Sequence, residues 1–136
     1  MSTREKGYWA ATSLVVFALL AGGMGDVMRL KPVAEGMKRI GYPLYFLTVI
    51  GTWKIVGGFA LVWPGMPRLR EWAYAGVFFA MTGAAISHAV CGEFGYVFAP
   101  TVLAILGLVS WTLQKDGRLP RAVTTGANRG PSASPI

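Results

Sequence analysis

Two residue types that build most metal and redox centres are nearly missing from this chain, which has one histidine, His88, and one cysteine, Cys91, in 136 residues. That scarcity excludes, within one chain, a bis-histidine haem, a CxxC thiol pair, an intrachain disulfide and any cysteine-built zinc or iron–sulfur site. No covalently held cofactor and no metal are expected. Charge is scarce too: Asp, Glu, Lys and Arg make up 14% of the residues, while hydrophobic residues reach 54%. A soluble domain carries roughly 25% charged residues, so this composition points to an integral membrane protein with the lipid bilayer as its first partner. A nucleotide-binding motif is also absent. The formal charge of +7 and the pI of about 10.0 do not suggest nucleic acid as a partner, because the basic residues lie in short connections and a tail between apolar runs.

What is present is a set of long apolar runs. The first, Tyr8 to Gly25, holds 18 residues without a charge. Its basic start resembles a signal peptide, but the run is longer than a signal core and AGGMGD offers no small-x-small cleavage pattern. The second, Tyr42 to Pro64, holds 23 residues with a single charge at Lys54. The third, Trp72 to Gly92, carries only His88 among titrating side chains besides Tyr74 and Cys91, and a turn containing Glu93 leads to the fourth, Phe94 to Leu113. Runs of this length read as membrane-spanning helices, placed at about 8–28, 42–64, 72–92 and 94–113. Between the first two, PVAEGMKRI puts Val33, Met37 and Ile40 on one side and Glu35, Lys38 and Arg39 elsewhere. Pro32 suits a helix start, and the pattern predicts a short amphipathic helix on the membrane surface. The expected fold is all-α: an integral membrane four-helix bundle over residues 1–114 with a short interfacial helix between spans one and two. Residues 115–136, rich in Gly, Pro, Ser and Thr, read as a disordered polar tail.

Four spans bring both termini to one side. Eight basic residues fall on that side, in the N-terminus, the second connection and the tail, against four in the first connection. The balance predicts a multi-pass protein of the inner (plasma) membrane with both termini cytoplasmic.

An ammonium group near the middle of a membrane helix costs roughly 3 kcal/mol or more, so it turns inward and finds a partner. Lys54 is therefore the first candidate site residue. It shares a helix face with Gly51, Gly57 and Gly58, His88 shares one with Ala84, Ala80 and Gly76, and Asp26 follows Gly22, Ala18 and Ala11. Small residues mark close helix approaches, so all three polar side chains are expected on packing faces. At about 1.5 Å rise per residue, Asp26 and His88 lie roughly 25 to 27 Å from the cytoplasmic end and Lys54 about 15 Å. Side chains lean toward their helix N-terminus, so Lys54 leans outward while the other two lean inward. A cluster of Asp26, Lys54 and His88, joined by Glu93, is the expectation. Each has a plainer reading: a structural ion pair for Lys54, helix packing for His88, a solvated helix end for Asp26. Glu71, a further candidate, stands in a first turn where a carboxylate suits the helix dipole. Trp53, beside Lys54, is a candidate for lining a cavity. Cys91 reads as a small apolar residue.

Several of these residues lie in strings that resemble the DoxX-like membrane protein family: Ile40-Gly41-Tyr42-Pro43, Gly51-Thr52-Trp53-Lys54-Ile55-Val56-Gly57-Gly58, Arg70-Glu71-Trp72-Ala73-Tyr74-Ala75-Gly76, and Thr82-Gly83-Ala84-Ala85 with Ser87-His88. The resemblance covers about Val16 to Leu113. It implies a small four-helix membrane protein in which Lys54, Glu71, Trp72 and His88 are motif positions. Relatives often carry an aspartate at the position of Ala80, so here a carboxylate partner for Lys54 would have to be Asp26 or Glu71. The family takes its name from a quinol oxidase and thiosulfate:quinone oxidoreductase setting.

The functional expectation is an accessory redox-linked subunit that binds a quinone or similar small amphiphile in the bundle and works beside an electron-carrying membrane or peripheral partner. A non-enzymatic assembly subunit and a small-solute transporter are the alternatives, the latter requiring a homo-oligomer. Whether the chain is an enzyme is left open by the sequence.

Overall fold

Four helices long and apolar enough to cross a membrane make up most of the computed structural model, which describes residues 1–114. They are α1 (Thr3–Val27), α3 (Tyr45–Val62), α4 (Pro67–Val90) and a last span, Phe94–Leu113, made of a 3-10 turn at Phe94–Tyr96 and α5 (Phe98–Leu113), with a short α2 (Lys31–Arg39) after the first. Among the described residues there is no strand. The tail expected at 115–136 lies outside the described residues.

Local chemistry explains where the helices begin. α1 starts five residues before Tyr8 because Ser2 and Glu5 form a capping box: the Glu5 N–H donates to Ser2 Oγ at 3.2 Å and the Ser2 N–H to Glu5 Oε2 at 2.8 Å. This reciprocal cap satisfies two otherwise orphan donors. α4 begins at Pro67, five residues before Trp72, since proline is preset for a first helical turn and its missing N–H is not needed there. The same reasoning admits Pro100 in the first turn of α5. The chain reverses at Gly65, whose φ of 77° is a left-handed value that glycine adopts without a Cβ clash.

Each long helix packs on two neighbours, in the ring order α1, α3, α4, α5 and back to α1. Turns of a few residues join α3 to α4 and α4 to α5, and α2 bridges α1 to α3, so the bundle runs up, down, up, down. The core is built from Val15 and Leu19 of α1, Leu61 of α3, Tyr74, Val77 and Met81 of α4, and Ala104 of α5. The two ends of the described chain meet: the Arg4 side chain donates from Nε to the Leu113 carbonyl at 3.2 Å and from Nη2 to the Gln114 carbonyl at 3.1 Å. Tight packing of α3 against α1 and looser packing against α4 leave a cleft between α3 and α4.

Candidate functional site

The contact that organises the site is between backbones. A Cβ built on Gly23 would lie 2.7 Å from the Gly51 carbonyl oxygen, and one on Gly51 would lie 2.7 Å from the Gly23 carbonyl oxygen. Nothing larger than glycine fits at this crossing of α1 and α3, as expected where membrane helices approach closely. Three residues on from each glycine stands a charged residue, Asp26 and Lys54. The Lys54 ammonium donates to Asp26 Oδ2 at 2.6 Å, with the carboxylate side chain 7% exposed and the lysine 23%. The close crossing is what lets a side chain from the middle of α3 reach a carboxylate near the end of α1.

His88 does not bond to that pair. Its Nδ1 lies 3.1 Å from Glu93 Oε2, and Arg39 of α2 donates from Nε to the other carboxylate oxygen at 2.6 Å. The Arg39 hydrogen bond holds the Glu93 carboxyl below its usual value, and Glu93 in turn holds the arginine above its own. Tyr96 completes the group, with its ring stacked on His88 at 5.6 Å and under the Arg39 guanidinium at 5.3 Å.

Both groups face one chamber of about 590 Å³, lined on its polar side by Asp26, Lys54, Arg39, Ser87, His88 and Tyr96. Tyr42 adds a hydroxyl 3.2 Å from Ser87 Oγ. A second chamber of about 440 Å³ lies in the cleft between α3 and α4, with an almost wholly apolar lining that includes Trp53, Val56, Trp72 and Gly76. Phe46, Ile50, Lys54, Ala80 and Met81 border both chambers. The two therefore form one groove, apolar at one end and polar at the other, with the lysine at the joint.

The small residues of α4 act differently from expectation. Gly76, Ala80 and Ala84, on the face of His88, do not bring another helix close; they form the wall of the groove, and a Cβ on Gly76 would meet nothing within 4 Å. On α1 the crossing residue is Gly23, one position from the Gly22 that the helical count singled out.

Glu71 stands at the other end of the bundle. Its carboxylate accepts from Trp111 Nε1 at 2.6 Å and Gln114 Nε2 at 2.5 Å, tying α4 to the end of α5. One turn farther in, Tyr74, Ser110 and Thr12 share buried hydroxyl contacts of 2.8 and 2.6 Å across three helices. Among the described residues, no three His, Cys, Asp or Glu side chains converge to hold a metal ion.

A family model for DoxX-like proteins matches residues 10–110. The chain belongs to the DoxX-like family. No curated protein and no solved structure matches it. In this DoxX-like protein the four positions that the resemblance singles out divide by place: Lys54 and His88 face the polar chamber, Trp72 borders the cleft, and Glu71 sits apart. Ala80, where the resemblance leads one to expect a carboxylate, borders both chambers beside Lys54, and the lysine's partner is Asp26 from α1.

The sequence reading missed Arg39, Tyr42 and Tyr96 as members of the polar group, and Thr12 and Ser110 as a buried pair. Tyr42 lay in a quoted motif and Arg39 on the polar side of a short amphipathic helix, but neither signal says what a side chain reaches across the fold. Thr12 and Ser110 are hydroxyl residues within apolar runs, and no spacing rule links two residues on different helices.

Proposed function

We propose that this DoxX-like protein is an accessory, redox-linked subunit of the inner (plasma) membrane, with both termini cytoplasmic, that binds a quinone or similar small amphiphile in the groove. The observation that carries this reading is the joint at Lys54, where an apolar cleft of about 440 Å³ runs into a polar chamber of about 590 Å³. Sites of several hundred Å³ with mostly apolar walls and a few convergent polar groups suit small organic ligands. A ring with a carbonyl fits the polar end, where the ammonium keeps N–H donors beyond the one used by Asp26, and an isoprenoid or acyl chain fits the cleft. A quinone so held exchanges electrons only with a second carrier, which accounts for the electron-carrying partner in this reading.

The test is native mass spectrometry of the protein extracted gently from its own membrane, comparing wild type with Gly76→Leu and with the double variant Asp26→Asn/Lys54→Met. Gly76→Leu fills the apolar cleft where a side chain meets open space, and the double variant removes both charges together. The expected result is a co-purifying quinone or other small amphiphile in the wild type that is lost from both variants. An empty wild type, or equal occupancy in all three, overturns the binding reading and leaves the assembly-subunit reading in its place.

A further inference from the structure

α2 is an unusual wall. Among the described residues none of α2's is buried, and its only substantial packing is on α1. Yet Pro32, Val33, Gly36, Met37 and Ile40 line the polar chamber, in the connection between the end of α1 and the start of α3. At both ends of α2 the backbone bends through left-handed residues, Arg29 with φ 51° and Gly41 with φ 83°. For Gly41 that conformation is easy, whereas for Arg29 it is strained and used only at turns. Across the chamber, α2 and the segment just after it are joined to α4 and the 3-10 turn by few contacts: Arg39 to Glu93 at 2.6 Å, Arg39 over the Tyr96 ring, the Tyr42 hydroxyl to Ser87, and Cys91 Sγ to the Ile40 carbonyl at 3.9 Å. Arg39 is 43% exposed. A helix with little buried surface and a few exposed ties belongs to the part of a fold that opens most easily.

We infer that α2 is a gate between the polar chamber and the aqueous phase, turning at Arg29 and Gly41 and held shut by the clasp of Arg39 on Glu93. His88 braces the clasp from inside, since it holds the second oxygen of the same carboxylate. The inference deepens the proposed binding site, because it gives the groove two approaches: the α3–α4 cleft for a chain dissolved in the bilayer, and the space under α2 for water and water-soluble reactants that meet the head group. The gate belongs to α2 itself, so it is tested with no ligand.

The experiment places a reporter thiol in the chamber wall, Ala84→Cys in a Cys91→Ser background of the full chain in lipid nanodiscs, and follows modification by a charged methanethiosulfonate. Ala84 lines the polar chamber one turn before His88. Breaking the clasp by Arg39→Gln, or by Glu93→Gln, is expected to raise the modification rate about one-and-a-half- to fivefold, the range open to the loss of a partly exposed ion pair. A second reporter, Met66→Cys at the opposite end of the bundle, is expected to react at one rate with the clasp intact or broken. Equal rates at Ala84→Cys with the clasp intact and broken, no reaction in any variant, or a matching rise at Met66→Cys overturns the gate. These outcomes do not bear on whether an amphiphile co-purifies, so the two proposals fail separately.

Discussion

Asp26 and Lys54 each pack their Cβ against the glycine three residues before the other: Asp26 Cβ lies 2.8 Å from where a Gly51 Cβ would stand, and Lys54 Cβ 3.0 Å from that of Gly23. The ion pair and the helix crossing are thus one structure. A charge pair within apolar helices tolerates little misplacement, because each ion gives up solvation that only good geometry returns. The glycines supply that geometry.

Removing one member of the pair is expected to cost more than removing both. Lys54→Met leaves an unpaired carboxylate that is 7% exposed, a loss of about 3 kcal/mol or more. The double variant Asp26→Asn/Lys54→Met is expected to recover most of that. A double-mutant cycle on unfolding in detergent checks it, and equal losses in single and double variants would show that the pair is not coupled.

The two glycine classes on α3 separate packing from propensity. Gly51→Ala drives a methyl into the Gly23 carbonyl and is expected to destabilise by about 1–3 kcal/mol. Gly57→Ala, where a Cβ meets nothing within 4 Å, is expected to be neutral or to stabilise by up to about 1 kcal/mol through helix propensity. Thermal unfolding midpoints of the two variants should move in opposite directions or differ clearly.

Glu71→Leu removes the acceptor for both Trp111 and Gln114. Hydrogen bonds to charged groups contribute about 1.5–3 kcal/mol each, so a clear loss of stability is expected. Because Glu71 faces Trp111 and Gln114 and lines neither chamber, any small molecule retained by the wild type should still be retained by Glu71→Leu at a temperature where it stays folded. Native mass spectrometry reads both quantities from one sample.

Acid is expected to loosen the clasp. The Glu93 carboxyl, held below its ordinary value of 4.5 first by Arg39 and then by His88, is a group with a depressed folded-state value. Its contribution is present above about pH 4.5 and is lost as pH falls through the lower folded value, while Arg39 stays charged throughout. Spin labels at Glu35→Cys and Gly95→Cys, in the Cys91→Ser background, should show a narrow distance distribution at pH 6 that broadens below about pH 4.5. A distribution at pH 6 no narrower than that of Arg39→Gln would mean that the carboxylate does not hold α2.

The sequence alone determined the architecture, since four apolar runs of membrane-spanning length leave the backbone no choice but helices in a medium without water. Amphipathic patterning was enough to place α2, and the lone intramembrane ammonium was enough to single out Lys54, because its solvation cost demands a partner. Which partner it takes was decided by tertiary structure. The helical count put Asp26, Lys54 and His88 at compatible depths, but depth along separate helices does not say which helices cross backbone to backbone. The Gly23–Gly51 contact brings Asp26 to Lys54, whereas the turn after α4 gives His88 to Glu93. In the same way, Gly76, Ala80 and Ala84 looked like a packing face and are the wall of a groove, because a stripe of small side chains permits either a close neighbour or an open space, and the placement of the other helices selects between them.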